Sequence, residues 1–391
     1  MSAPRERQRS NFGANDKANR WRTRLEPRTA WDWRAPPTLL RSFFHSPHSF
    51  WEIPLIRVGV VGFGYWGPNF VRVFQGLPGC ELVGIVDKRG AALDGAKRMY
   101  PKTPIFESVG DLLKAGVDAA VVATPASTHA DIAHTLLDAG VDALVEKPLA
   151  LSTEDGIRLA EKADAKKRVL MVGHLLEYHP GLLAFRDVVR SGELGDLYYL
   201  YATRVNLGKV RAAESALWDL APHDVSVIRF LTDAKPVSVS AQGGTYLRRG
   251  LEDVIFATIN FEGGIVAHLH VSWLDPHKVR RVTVVGSRRM AVFDDMEPTE
   301  KIRIIDKGID TTEHYESFHD AMQERIGDIR IPPVPLGEPL KVEAAHFLEC
   351  VAGRKTPRTC ARNGIRVLQV IEAAEASIKK GGEAVAVKDY V

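Results

Sequence analysis

The 391-residue sequence predicts an α/β domain with a doubly wound parallel sheet, then an α+β domain whose antiparallel, open-faced β-sheet carries helices. Three observations predict this. Between residues 55 and 175, short and almost wholly apolar runs alternate with helical patterns; strands apolar on both faces belong in a parallel sheet covered on each side. The first run, Ile56 to Val61, ends in Gly62-Phe63-Gly64-Tyr65-Trp66-Gly67, a GxGxxG turn that opens a helix. From residue 176 onward, longer β-like runs follow one another across short turns such as Glu262-Gly263-Gly264, an antiparallel pattern.

In chain order, strands are expected at 56–61, 81–86, 104–106, 117–123, 141–146 and 168–173, with helices at 68–77, 90–99, 127–139 and 153–166. The last helix follows Ser152-Thr153-Glu154-Asp155, a capping box with Asp in place of Glu. In the second domain, strands are expected at 197–206, 237–246, 254–261, 265–274, 279–285, 290–293 and 301–305, with closing helices near 341–353 and 364–379. Another helix runs to Leu231. Proline is tolerated only in a first turn, so Pro222 starts that helix no earlier than about Asp219.

The glycine turn gains meaning from Asp87, twenty residues beyond Gly67 at the end of the second apolar run. This is the fingerprint of a dinucleotide-binding Rossmann unit. Gly62 permits the turn, Gly64 lets backbone approach a pyrophosphate, and Gly67 lets the helix pack on the sheet. The helix start at Trp66 offers unpaired N–H groups and the positive end of its dipole. Asp87 accepts from ribose hydroxyls and repels a 2′-phosphate, so NAD is expected over NADP. Lys88 and Arg89 keep NADP open, because an arginine there can pair a 2′-phosphate.

With 45% hydrophobic and 26% charged residues the composition is that of an ordinary globular protein, and no apolar run is long enough to span a bilayer. Three scattered cysteines, Cys80, Cys350 and Cys360, form no disulfide framework or zinc pattern and suit a reduced, cytoplasmic protein. Residues 1–54 hold ten Lys and Arg against five Asp and Glu, which leaves the remainder at −2 from a total of +3. That basic extension has no apolar periodicity and is expected to be disordered; Arg41 breaks its one apolar patch, so no secretion signal is expected. Partners are expected to be small molecules and further copies of the chain, with no nucleic acid and no membrane.

Three further segments carry chemistry. Ala123-Thr124-Pro125-Ala126-Ser127-Thr128-His129 follows a buried strand, where parallel sheets bind ligands. Its plainer reading is a strand-to-helix turn with Ser127 as N-cap. Glu146-Lys147-Pro148 also ends a strand; a lysine there can stabilise an alkoxide, although a Glu-Lys pair is more often a solvated ion pair. Trp218-Asp219-Leu220-Ala221-Pro222-His223 places Asp219 and His223 four apart on one helix face, a base with a supporting carboxylate, or else a cap and a surface histidine.

Taken together, the glycine turn, Asp87, Thr124-Pro125 with His129, Glu146-Lys147-Pro148 and the Asp219/His223 pair resemble the Gfo/Idh/MocA oxidoreductases in order and spacing, over about residues 55–391. The resemblance implies NAD(P)-dependent redox chemistry at a carbohydrate carbon, with Lys147, His223 and Asp219 catalytic. It implies cofactor contacts from Gly62 to Gly67, Asp87, Lys88, Thr124, Pro125, Ser127, His129, Glu146 and Lys147. Within the family, Gly64 to Asn69, Val172-Gly173-His174-Leu175-Leu176-Glu177-Tyr178-His179-Pro180, Trp218 to Asp224 and His270 to Pro276 are similar to the branch acting on nucleotide sugars. Tyr178, Arg204, Asn206, Arg211 and Trp218 are then substrate candidates, with arginines suited to a diphosphate. A keto-sugar reductase using NADPH, an inositol or hexose dehydrogenase, and a non-catalytic cofactor-binding protein are the alternatives. No metal is expected: His268, His270 and His277 lack a cysteine or a placed carboxylate, and they suit a subunit interface in a homodimer or homotetramer built through the second sheet.

Overall fold

A computed structural model describes residues 55–208, 210, 214–311 and 322–389; the N-terminal extension and Arg211 lie outside the described residues. The first sheet is formed by β1 (Ile56–Val61), β2 (Cys80–Val86), β3 (Ile105–Phe106), β4 (Ala119–Val122), β5 (Asp142–Glu146) and β6 (Leu170–Gly173). All pairs are parallel in the order β3-β2-β1-β4-β5-β6, the doubly wound arrangement expected. Helices α1 (Gly67–Gln75), α2 (Gly90–Met99), α3 (Val109–Lys114), α4 (His129–Asp138) and α5 (Thr153–Lys166) connect its strands. Burial explains the uniform strands: Val58, Val60, Val121 and Leu144 fill one face, and Ala120, Val122, Ala143 and Val145 the other. At the start of α5, Ser152 Oγ accepts from Asp155 N at 3.0 Å and donates to the Asp155 carboxylate. The short helix α3, absent from the sequence reading, is capped in the same way by Ser108.

Helix α6 (Pro180–Arg190) leads to the second sheet, which contains β7 (Leu197–Leu207), β8 (Pro236–Gly244), β9 (Val254–Phe261), β10 (Val266–Ser272), β11 (Leu274–Gly286), β12 (Met290–Asp294), β13 (Ile302–Thr311), β14 (Met322–Arg330) and β15 (Val385–Ala386). Its order is β14-β13-β12-β11-β7-β10-β9-β8-β15. The sheet is mixed and not purely antiparallel as expected, because β7 and β10 run parallel. The cause is helix α7 (Ala216–Thr232), a crossover that returns the chain to β8 in the direction of β7; two hairpins then deliver β10 beside β7. Two closing helices, α8 (Pro339–Gly353) and α9 (Ala361–Lys379), complete the body. Leu340, Ala344, Phe347 and Val351 of α8 share a core with Val58 and Met171 of the first sheet and Phe70 of α1, whereas α9 gives Ile365 and Leu368 to that sheet and Val367, Val370 and Ile371 to the second. Among the described residues, no helix is long and apolar enough to cross a membrane.

Candidate active site

The carboxyl ends of β1, β2, β4 and β5 open into a cleft of about 870 Å³ that reaches across to α7. The glycine turn forms its floor. Gly62 has φ of +99°, and a Cβ there would lie 2.6 Å from Ala123 O. At Gly67 a Cβ would meet Gly62 O at 2.1 Å, so α1 starts directly against the turn. Gly64 differs from both: a Cβ would have only Arg89 Nη2 within reach, at 3.7 Å, so its missing side chain serves the cleft and not the packing. Trp66 caps α1 without a side-chain bond, and no acidic residue stands in the first turn to offset the dipole. This cradle fits a pyrophosphate. Tyr65, Trp66 and Lys88 line the cleft. Phe63 does not: its ring packs edge-on against Tyr100, and its N–H donates to Asp87 Oδ2 at 2.8 Å.

Asp87 is buried and already shared. Its Oδ1 accepts from Arg89 N (2.9 Å) and Nε (3.0 Å), and its Oδ2 from Arg89 Nη2 (2.8 Å) as well as from Phe63 N. Burial raises its carboxyl, but Arg89 and the two backbone donors outweigh that and hold it down to about 2. It is a permanent carboxylate at the ribose end.

Beyond β4, Pro125 opens a 3-10 turn over Ala126–Thr128, so α4 begins one residue later than an N-cap at Ser127 requires. Ser127 is exposed and outside the cleft lining; Thr128 lines it instead, donating to Thr124 Oγ1 or accepting from it at 2.7 Å. His129, expected at the cofactor, is buried beneath the loops. Its Nδ1 lies 2.8 Å from Pro148 O and its Nε2 2.9 Å from Thr124 O. It ties the Thr124 loop to the Lys147 loop, and burial lowers its basicity.

Lys147 emerges from β5 before a cis peptide to Pro148, and its Nζ donates to Asp219 O at 2.7 Å and lies 3.4 Å from Asp219 Oδ1. Both side chains are only 12% exposed, so Lys147 is paired with Asp219 away from bulk solvent and is not the solvated lysine of the plainer Glu-Lys reading. Glu146 lines the cleft beside it, and burial pushes its carboxyl up to about 7 against the pull of Lys147. Helix α7 begins at Ala216 and not at Asp219, so Pro222 lies inside it. Proline there cannot donate to Trp218 O and crowds it, which loosens the turn at which Lys147 reaches the Asp219 carbonyl. His223 stands one turn beyond Asp219 on the same face, half-buried and outside the cleft lining, with Nδ1 unpartnered. Burial first, then the cations Lys147 and Arg204, hold its imidazole well below its usual basicity. It therefore rests neutral, the form that accepts a proton.

The substrate candidates fare differently. Tyr178 is fully buried, its hydroxyl 3.1 Å from Thr359 Oγ1 and its ring under the Arg358 guanidinium, so it cannot meet a substrate. Arg204 is buried in a bidentate pair with Asp224 (2.7 and 2.9 Å) and has no free fork for a diphosphate. Trp218 Nε1 donates to Glu375 at 3.3 Å, which turns the indole toward α9. Asn206 is half-buried beside Gly208 and outside the cleft lining. The sequence reading missed Glu214, which lines the cleft just before α7, and two separate buried residues, His174 and Glu343, neither of which has a side-chain hydrogen-bond partner. Only the unusual polarity of Glu343 between Val342 and Ala344 signals the last of these.

Residues 56–174 match the Gfo/Idh/MocA oxidoreductase family, NAD-binding Rossmann fold, and residues 182–292 match the Gfo/Idh/MocA C-terminal domain. The UDP-N-acetylglucosamine 3-dehydrogenase of Acidithiobacillus ferrooxidans is 29% identical over 321 residues, 82% of this chain and 95% of that protein. A solved structure of that enzyme superposes with a TM-score of 0.71 at 26% identity, covering 84% of this chain and 99% of the other. The inositol 2-dehydrogenase of Corynebacterium glutamicum is 27% identical over 225 residues, 56% of this chain and 67% of that protein. With both of its sheets matched and a glycine cradle that fits a dinucleotide, the chain belongs to the Gfo/Idh/MocA family of NAD-binding oxidoreductases.

Proposed function

We propose that this oxidoreductase dehydrogenates a ring hydroxyl of a nucleotide sugar, in the class of UDP-N-acetylhexosamines or their uronates. The observation that carries the reading is the Lys147–Asp219 contact across the cleft, with neutral His223 one turn away and the pyrophosphate cradle at the other end. His223 accepts the proton of the hydroxyl. Lys147 donates a hydrogen bond to the same oxygen and stabilises its developing negative charge, in a site where low exposure strengthens that interaction. Asp219 holds the ammonium at this point through its carbonyl and carboxylate. Bound NAD supplies the hydride acceptor, held by the Gly62–Gly67 turn, Asp87 and the Thr124 loop. The similarity to a UDP-N-acetylglucosamine 3-dehydrogenase over nearly its full length supports the nucleotide sugar, and the inositol dehydrogenase relative supports a cyclitol as the second reading.

Lys147→Ala and His223→Ala are each expected to lower kcat by a factor on the order of a hundred or more while leaving NAD affinity, measured by calorimetry, within a few-fold. Near-normal turnover in either variant would overturn the assignment of roles. A thermal-shift panel of UDP-, dTDP- and GDP-sugars, inositols and hexoses with NAD present separates the substrate readings, because a specific ligand raises apparent stability by mass action.

A further inference from the structure

A second cavity, of about 230 Å³, lies between the end of α7, the start of β8, helix α9 and the C-terminal tail, and it shares no lining residue with the cleft. Its lining is rich in donors. At the base, Gln369 is 5% exposed and its amide Nε2 has no partner. The Nε of Arg229 beside it is buried and unpartnered as well, and its Nη1 reaches Asn363 O only at 3.5 Å. At the mouth stand the exposed cations Lys235, Arg366 and Lys388.

The two carboxylates of the lining leave much of this charge standing. Asp389 pairs with Lys235, and Asp233 is also engaged by Arg190 of α6 at 3.4 Å. Among the described residues, the side chains of Arg366 and Lys388 enter no hydrogen bond or ion pair. Burial, and then the nearby Arg366 charge, oppose the protonated form of Arg229 despite the partial relief from Glu177 and Asp233. Guanidinium, ammonium and amide N–H groups can only donate. Water could accept from them but would leave the converging positive charges unopposed; an oxyanion does both.

We propose that this cavity is a binding site for a phosphate, free or as the monoester of a small metabolite, with Arg229 and Arg366 as forked donors, Lys388 as a point charge and the Gln369 amide as a neutral donor. It is separate from the cofactor cleft and independent of which sugar that cleft takes.

Calorimetric titration of the full chain with inorganic phosphate tests this, at constant ionic strength and with saturating NAD to occupy the pyrophosphate cradle. One saturable site is expected, weakened about tenfold or more in Arg366→Gln and further in Arg366→Gln/Lys388→Gln. Both positions are exposed, so the variants should keep the wild-type melting temperature without phosphate. Glycerol 3-phosphate binding at the same site, in competition with phosphate, shows that an ester is accepted; inorganic phosphate alone binding restricts the site to the free anion. No saturable binding, or equal affinity in wild type and double variant, overturns the proposal.

Discussion

Asp87 and Arg89 show how one side chain divides its bonding between fold and ligand. Three of the four donors on the Asp87 carboxylate come from Arg89, whose own side chain is 65% exposed. So exposed a guanidinium is screened and holds its pair only weakly, so a ribose diol can displace it. Once displaced, Arg89 would stay in the cleft lining beside Asp87 and could partly offset its repulsion of a 2′-phosphate. Arg89→Ala is therefore expected to raise the ratio of NADP to NAD dissociation constants by about tenfold, the worth of one charge-assisted contact. An unchanged ratio would show that Arg89 plays no part in cofactor choice. Asp87 itself should add no pH dependence to this preference from about pH 5 to 8, so any change across that range reports the 2′-phosphate, whose second ionisation lies at about pH 6. A carboxyl held down to about 2 is ionised throughout, and its contribution to stability, complete above about pH 4, is lost only as pH falls through 2. The position of Asp87 was legible from spacing alone. Its capture by Arg89 was not, since it depends on a side-chain conformation that sequence does not specify.

At the level of elements, α8 puts a carboxyl where only apolar groups are expected. Glu343 is fully buried with both oxygens unpartnered; burial raises it well above its usual range, and Glu146 and Glu177 raise it further. Those two neighbours are themselves pushed up to about 7, mainly by burial. A carboxyl whose folded value is raised contributes fully below its unfolded value, about 4, and loses that contribution as pH rises through 7 and beyond. Buried His174, lowered to about 3 by burial and by nearby cations, acts in the opposite sense, costing stability only below about 6.5. Between about pH 6.5 and 8 the buried carboxyls dominate; the thiols of Cys80 and Cys350, raised to about 11 by burial, add a loss of the same sign only nearer about pH 9. The melting temperature is expected to fall from about pH 6.5 to about pH 8, and Glu343→Gln, neutral and isosteric, to make the fall shallower by at least about 2 °C. A variant that melts in parallel with the wild type across this range would show that Glu343 carries no such penalty. Elements whose burial is uniform, such as β1, β4 and β5, were legible from composition. Helix α7 was misplaced because tertiary packing overrides the local cost of Pro222, and α6 was passed over although Leu182, Phe185 and Val189 have helical spacing.

Over the whole molecule, the two sheets are covered unequally. The first is packed on both faces, whereas the second buries alternate residues such as Leu200, Ala202, Ala257 and Leu269 on its helical side and leaves the other face open. That open face is aromatic. Tyr199 and Tyr201 stack on β7 at 6.4 Å, and His270 of β10 stacks on Phe256 of β9 at 4.4 Å, with Tyr199, Tyr201 and Phe256 all more than a third exposed. Among the described residues, no group of three His, Cys, Asp or Glu side chains could hold a metal ion, so His268 and His270 have no ligand set to join. An exposed aromatic sheet face of this kind would be covered if a second copy of the chain packed on it about a two-fold axis. Replacing both Tyr201 and Phe256 by Glu would bring four carboxylates into such an interface, two from each copy, where desolvation without partners costs several kcal/mol. The double variant is expected to shift to half the wild-type mass or less by light scattering at micromolar concentration, with NAD affinity preserved because the cleft lies on the other sheet. If the mass stays that of a wild-type oligomer, the interface lies elsewhere; if the wild type is itself a monomer, the aromatic face has no second copy to explain it.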